Sequence, residues 1–390
     1  MSLPAVISAT VASRPVDPRS MTSALADWDH EDMHPDSPMP PHAPGTAAPE
    51  PGGPASATEV WGPQPGVSSM APPAGPPFAP VPRPAPLRLP LIGHTYPEVT
   101  RTPRLRWWQP VLAWPVALVL SALALVAPML VLALVGFATG DPGTLSRLED
   151  VTDPVMMTVL NISLALLIAV SLIAFAVGSR VAPRFLHSVE GRLRLGWLLR
   201  CMLVLLPLYA LYVGGAWFLA GAETRPRPEG WLWLLLITLV LTPFQAAGEE
   251  YLFRGFVVTT IGSLFTRPVV GLVVAGVVSS ALFAAAHGST DPWIVIDLAA
   301  MAAGCCYLVW RTGGLEAAVA LHTVNNIVVG VVGIFSGTVA EGYVDSSTTS
   351  TPLDAVTSVA WTVIVVAILD HQSRRVGLVR TVPESVGARP

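Results

Sequence analysis

From Arg106 onward the chain runs through long stretches of uninterrupted apolar residues, and few features limit a fold so tightly. A helix rises 1.5 Å per residue, so ~20 apolar residues cross a ~30 Å hydrocarbon core. Eight stretches reach that length: 110–137, 154–178, 195–220, 231–262, 268–288, 293–311, 314–336 and 353–370. The fourth exceeds one simple span and carries Pro243 and Gly248, which predicts a kinked or tilted helix. Spanning β-strands would alternate apolar with polar residues, and these runs do not, so the expected fold is all-α, a polytopic helical bundle.

Composition agrees. Only 12% of the 390 residues are charged and 52% are hydrophobic, about half the charged fraction of a soluble domain. The basic residues, all arginine, are dispersed and the net charge is −4, which points away from nucleic acid. Arginine flanks one set of span ends, at Arg101, Arg104, Arg106, Arg180, Arg184, Arg192, Arg194, Arg374 and Arg375. By the positive-inside rule both termini of a multi-pass membrane protein are expected to be cytoplasmic, and the use of arginine without lysine points to a GC-rich, bacterial source. Residues 1–100 hold 23 of the 39 prolines, and residues 1–105 read as a disordered, partly polyproline-II tail. Within it the acidic-aromatic segment around Trp28 could dock a partner, whereas His30, His34, His42 and His94 lack metal-ligand spacing. The division expected is thus a tail over 1–105, a membrane domain over 106–370 and a short basic cytoplasmic tail over 371–390. Cys201, Cys305 and Cys306 lie in apolar runs and read as small packing residues of membrane helices.

The informative residues are polar groups inside the spans, where each charge costs about 2.5–3.5 kcal/mol on insertion scales. The fourth run holds Glu249, Glu250 and Arg254. Glu250 and Arg254 are four apart and share a helix face, while Glu249 points about 100° away. The fifth run ends with Phe283 and His287 one turn apart, and the seventh holds His322 and Asn326 at the same spacing. A lone histidine or asparagine in a membrane is often interhelical glue. Glutamate, two imidazoles and a carboxamide on three separate helices instead form a set able to activate water and hold an oxyanion. Counting the rise along straight helices, Glu249 and His287 share a depth only if the fourth and fifth spans are read as about 239–260 and 271–292. Asp297 reads as interfacial, and Glu316 as a carboxylate favouring the dipole at a helix start.

Glu249-Glu250-x-x-x-Arg254, Phe283-x-x-x-His287 and His322-x-x-x-Asn326 resemble, in order, the three motifs of the CPBP family. That family comprises intramembrane proteases related to the CAAX prenyl protease Rce1 and bacteriocin-processing or self-immunity (Abi) proteins. The resemblance covers about residues 195–336. It implies an intramembrane endopeptidase acting on membrane-associated or lipidated, CAAX-like peptides, in which Glu249 activates water with His287. It further implies that His322 and Asn326 hold the oxyanion or orient the substrate, and that Glu250 and Arg254 form a supporting pair beside Phe283. No cofactor is expected. Two histidines and a glutamate could bind zinc, but no His-Glu-x-x-His spacing favours it. Two other readings stay open: a non-catalytic scaffold or immunity protein, and a proton-coupled transporter in which Glu249 and Glu250 titrate.

Overall fold

The structure, a computed structural model, describes residues 89–388 except 148, 149, 151, 220, 222 and 223. The segment around Trp28 and the histidines His30, His34 and His42 lie outside the described residues. Helices α1 (Trp108–Thr139), α2 (Pro154–Ala165), α3 (Leu167–Gly178), α4 (Leu195–Leu219), α5 (Trp231–Val240) and α6 (Thr242–Glu250) come first. A π-helical stretch, Tyr251–Val257, leads into α7 (Val258–Gly262), followed by α8 (Pro268–Ala286), α9 (Pro292–Thr312), α10 (Glu316–Ser336) and α11 (Pro352–Arg375). Among the described residues, α1, the α2–α3 pair, α4 and α8 to α11 are seven helices long and apolar enough to cross a membrane. The run over 231–262 is a broken pair bent by 41°, which as one span makes an eighth crossing. The chain is a multi-pass membrane protein.

Local chemistry sets where these helices begin. The α2 and α9 helices start with proline after an aspartate, Asp153 or Asp291, whose carboxylate accepts the first free backbone N–H groups. Thr351 and Asp354 cap α11 reciprocally around Pro352. Gly313, at φ +68°, ends α9 in the left-handed turn, where a Cβ would also lie 2.8 Å from the Val379 carbonyl oxygen.

The α10 helix occupies the centre, with every residue from Glu316 to Gly330 buried. A helix apolar on all sides must be surrounded by others, and this burial carries His322, Asn325 and Asn326 into the middle of the bundle. The α1 helix is peripheral by contrast, burying Ala113, Ala117 and Ala124 while Leu118, Leu123 and Phe137 face outward.

The ends of the described chain meet. Gly93 N–H donates to Val382 O at 2.9 Å, and Val382 N–H donates to His94 O at 2.9 Å. Both segments therefore sit at one end of the bundle, which requires an even number of crossings and makes the broken pair a true span. This corrects the expected tail boundary at 105. Residues 89–105 are a strap on the core: Tyr96 and Val99 are fully buried, Tyr96 Oη donates to Leu186 O at 2.5 Å, and Thr100 bonds Ser263 Oγ at 2.6 Å. The expected basic tail from 371 is also partly structural, since α11 continues to Arg375 and Val382 and Val386 are buried.

Glu316 opens α10 as expected, and it and Asp297 are both engaged by the packing of the bundle. Glu316 is fully buried and pairs bidentately with Arg194, Oε2 to Nη2 at 2.6 Å and Oε1 to Nε at 2.8 Å, so it ties α10 to the segment before α4. Asp297 is buried against α11 and accepts a hydrogen bond from Ser358.

Candidate active site

A pair of acidic residues within a span is tolerable only where both find partners. Glu250 finds two. It is fully buried, and its Oε1 lies 2.8 Å from His322 Nδ1 and 3.0 Å from Arg254 Nη1. An ionised carboxylate can only accept, so the Glu250 contact assigns the proton of His322 to Nδ1 and turns Nε2 outward. That Nε2 faces Glu249, with Oε2 at 3.6 Å. Glu249 and Glu250, adjacent in sequence, therefore address opposite ring nitrogens of one imidazole.

Phe283 is the apolar hub of the site. It is fully buried; the Arg254 guanidinium carbon lies 4.2 Å from its ring centroid, and the rings of His287 and His322 lie at 4.7 and 5.7 Å. Stacking on a ring face gives the buried guanidinium a second partner. The Phe283 backbone also helps: its carbonyl lies 2.8 Å from His287 Nδ1. The His287 proton is thus assigned to Nδ1, leaving Nε2 as a base. His287, partly exposed in the α8–α9 connection, is the more accessible of the two histidines.

The backbone arranges this locally in two ways. Gly248 lets α6 touch the break between α2 and α3, where a Cβ would fall 2.0 Å from Leu164 O. Directly after the glutamates the chain widens into the π-helical stretch holding Arg254. Such stretches are rare and cluster at functional sites.

All seven residues singled out by sequence are brought together: Glu249, Glu250, Arg254, Phe283, His287, His322 and Asn326. The last is joined through Gln245, which sequence reasoning passed over. Gln245 Nε2 donates to Glu249 Oε1 at 2.6 Å, and its Oε1 accepts from Asn326 Nδ2 at 3.2 Å. Its signal was an amide in an apolar run one turn before Glu249. Among the described residues, no three His, Cys, Asp or Glu side chains are gathered to hold a metal ion.

Residues 228–328 match the family model described as type II CAAX prenyl endopeptidase Rce1-like. This stretch, about a quarter of the chain, is similar to that family. All seven residues fall inside this Rce1-like region, which begins just before α5 and ends two residues past Asn326. It is narrower than the 195–336 expected from the motifs. An uncharacterized protein of Bacillus subtilis (strain 168), YyaK, is 31% identical over 98 residues, which cover 25% of this chain and 33% of that protein. The shared stretch thus spans about a third of that relative's length. No solved structure matches the chain.

Proposed function

We propose that the protein is an intramembrane endopeptidase that hydrolyses membrane-associated or lipidated peptides by direct attack of water. The observation carrying this reading is the Glu249 Oε2 to His322 Nε2 approach of 3.6 Å, buried among apolar spans with both groups locked from behind. Water bound beside Glu249 gives a proton to its carboxylate as the water oxygen attacks the scissile carbonyl carbon. The resulting oxyanion is held by an Asn326 amide N–H and by His322 as the imidazolium, its Nδ1–H kept on Glu250 and its second proton, on Nε2, facing the oxyanion. Glu249 then passes its proton to the departing nitrogen as the C–N bond breaks, leaving a carboxylic acid and an amine. His287, with Nε2 free, assists the water or the leaving group. Glu250 and Arg254 remain paired throughout. No step is routed through a metal.

Glu250 is held by both His322 and Arg254, which suits an anchor better than the exchanging carboxylate of a proton-coupled carrier. The arginine distribution supports cytoplasmic termini.

The test is cleavage of a fluorogenic peptide library by detergent-purified protein, with and without chelator. Wild-type protein is expected to release product equally in both conditions, and Glu249→Gln to lose at least about a hundredfold. Release that chelator abolishes and zinc restores would replace the glutamate mechanism. Equal release by wild type and Glu249→Gln would remove Glu249 from the chemistry.

A further inference from the structure

Gln245 is not one of the residues of the three motifs, yet it is hydrogen-bonded to members of two of them, Glu249 and Asn326. It is 9% exposed and lies one turn before Glu249 on α6. Its Nε2–H donates to Glu249 Oε1 at 2.6 Å, a short contact in the direction expected of an ionised acceptor. Its carbonyl Oε1 accepts from Asn326 Nδ2 at 3.2 Å, and Asn326 Oδ1 accepts from Asn325 Nδ2 at 3.1 Å. These bonds run in one direction. An ionised carboxylate only accepts, so the Gln245 nitrogen must face Glu249 and its carbonyl must face Asn326. The Asn326 nitrogen then faces Gln245, and its carbonyl faces Asn325. One carboxylate thus sets the orientation of three amides on two helices.

The relay treats the two oxygens of Glu249 differently. Oε1 is bound by Gln245, whereas Oε2 faces His322 Nε2. We infer that Gln245 is a positioning residue that selects Oε2 of Glu249 as the proton acceptor and holds the Asn326 amide toward the oxyanion position. The inference rests on the proteolytic reading for its consequence, but the contact itself is open to measurement without a substrate. Without the Gln245 donor, the carboxylate is free to rotate about its last bond, and Asn326 loses the acceptor that fixes its plane. Both losses act on the transition state more than on substrate binding, so kcat falls and KM changes little.

Two variants separate positioning from packing. Gln245→Leu keeps the volume and removes both hydrogen bonds. Gln245→Glu keeps the shape, but the introduced carboxyl donates to Oε1 only while it carries a proton. Its titratable neighbour is Glu249 on its own helix, which in turn faces His322 on α10; on α2 the polar group bonded to α6 is the uncharged Asn161, which accepts from Thr242 Oγ1 at 3.2 Å.

The first measurement is infrared difference spectroscopy of purified protein. Subtracting the Glu249→Gln spectrum isolates the Glu249 carboxylate stretch. This band is expected to move in Gln245→Leu. The second is peptide hydrolysis across pH. Gln245→Leu is expected to lose about tenfold to a hundredfold in kcat at nearly constant KM. Gln245→Glu is expected to recover activity only on the acidic side, with an optimum displaced from that of wild type. An unmoved Glu249 band in Gln245→Leu overturns the inference, as does a Gln245→Glu pH profile parallel to wild type. Should wild-type protein cleave no peptide, the proteolytic reading fails, while the infrared result still decides whether Gln245 holds Glu249.

Discussion

His322 is addressed at both ring nitrogens by consecutive glutamates, and this asymmetry gives the two carboxylates separate tasks. Glu250 neutralises Arg254 and fixes the imidazole, so it cannot also serve as a free base. Glu249 keeps one oxygen for water. Pairing at full burial carries a predictable penalty when broken, because Arg254 and Glu250 are both 0% exposed. Removing one member of such a pair costs about 3–5 kcal/mol, whereas an exposed pair costs under ~1 kcal/mol. Glu250→Gln should therefore lower the unfolding midpoint in detergent sharply. Replacing Arg254 by Met in the same chain should recover part of the loss, since the uncompensated charge is gone. A Glu250→Gln protein as stable as wild type would mean that the guanidinium is not held by this carboxylate.

The helices themselves were largely legible from hydropathy, and the reasons for the exceptions are physical. Asp153-Pro154 and Asp291-Pro292 announce helix starts in the sequence, and the spans at 154–178 and 293–311 fall within a residue or two of where they form. The fourth run, expected to kink, does so: its break at Leu241, two residues before Pro243, divides one apolar stretch into α5 and α6. Depth counting along straight helices does not apply across such a break. The strap over 89–105 was hidden because proline-rich composition describes local preference, while Tyr96 and Val99 are buried by partners far along the chain. Gln245 was overlooked because a single amide in a span reads as packing beside two carboxylates. Gly248 was noted only as a helix weakener. Its real role is contact: a Cβ there would lie 2.0 Å from Leu164 O, which is backbone and cannot rotate away. Gly248→Ala should destabilise the protein by ~3 kcal/mol through overpacking. Gly214→Ala in α4, where a Cβ meets nothing within 4 Å, should be neutral or stabilise by up to ~1 kcal/mol. Thermal unfolding of the two variants checks this, and equal midpoints would contradict the close approach of α6 to α2.

The bundle as a whole places a polar site where no single span could support one. Glu249 comes from α6, His287 from the end of α8 and His322 from the fully buried half of α10. The two ends of the described chain close the same face of the bundle, and the Arg194–Glu316 pair locks α10 to it. Such a site should work as one unit: once one member is lost, the others have little left to contribute. Purified wild type, Glu249→Gln, His322→Ala and the double variant, assayed on one cleaved peptide in liposomes, measure this most directly. Each single variant should lose at least about a hundredfold in kcat, and the double variant should fall no further than the worse single one. Losses that multiply in the double variant, or a Glu249→Gln protein that cleaves as wild type does, would contradict a shared water-activating site.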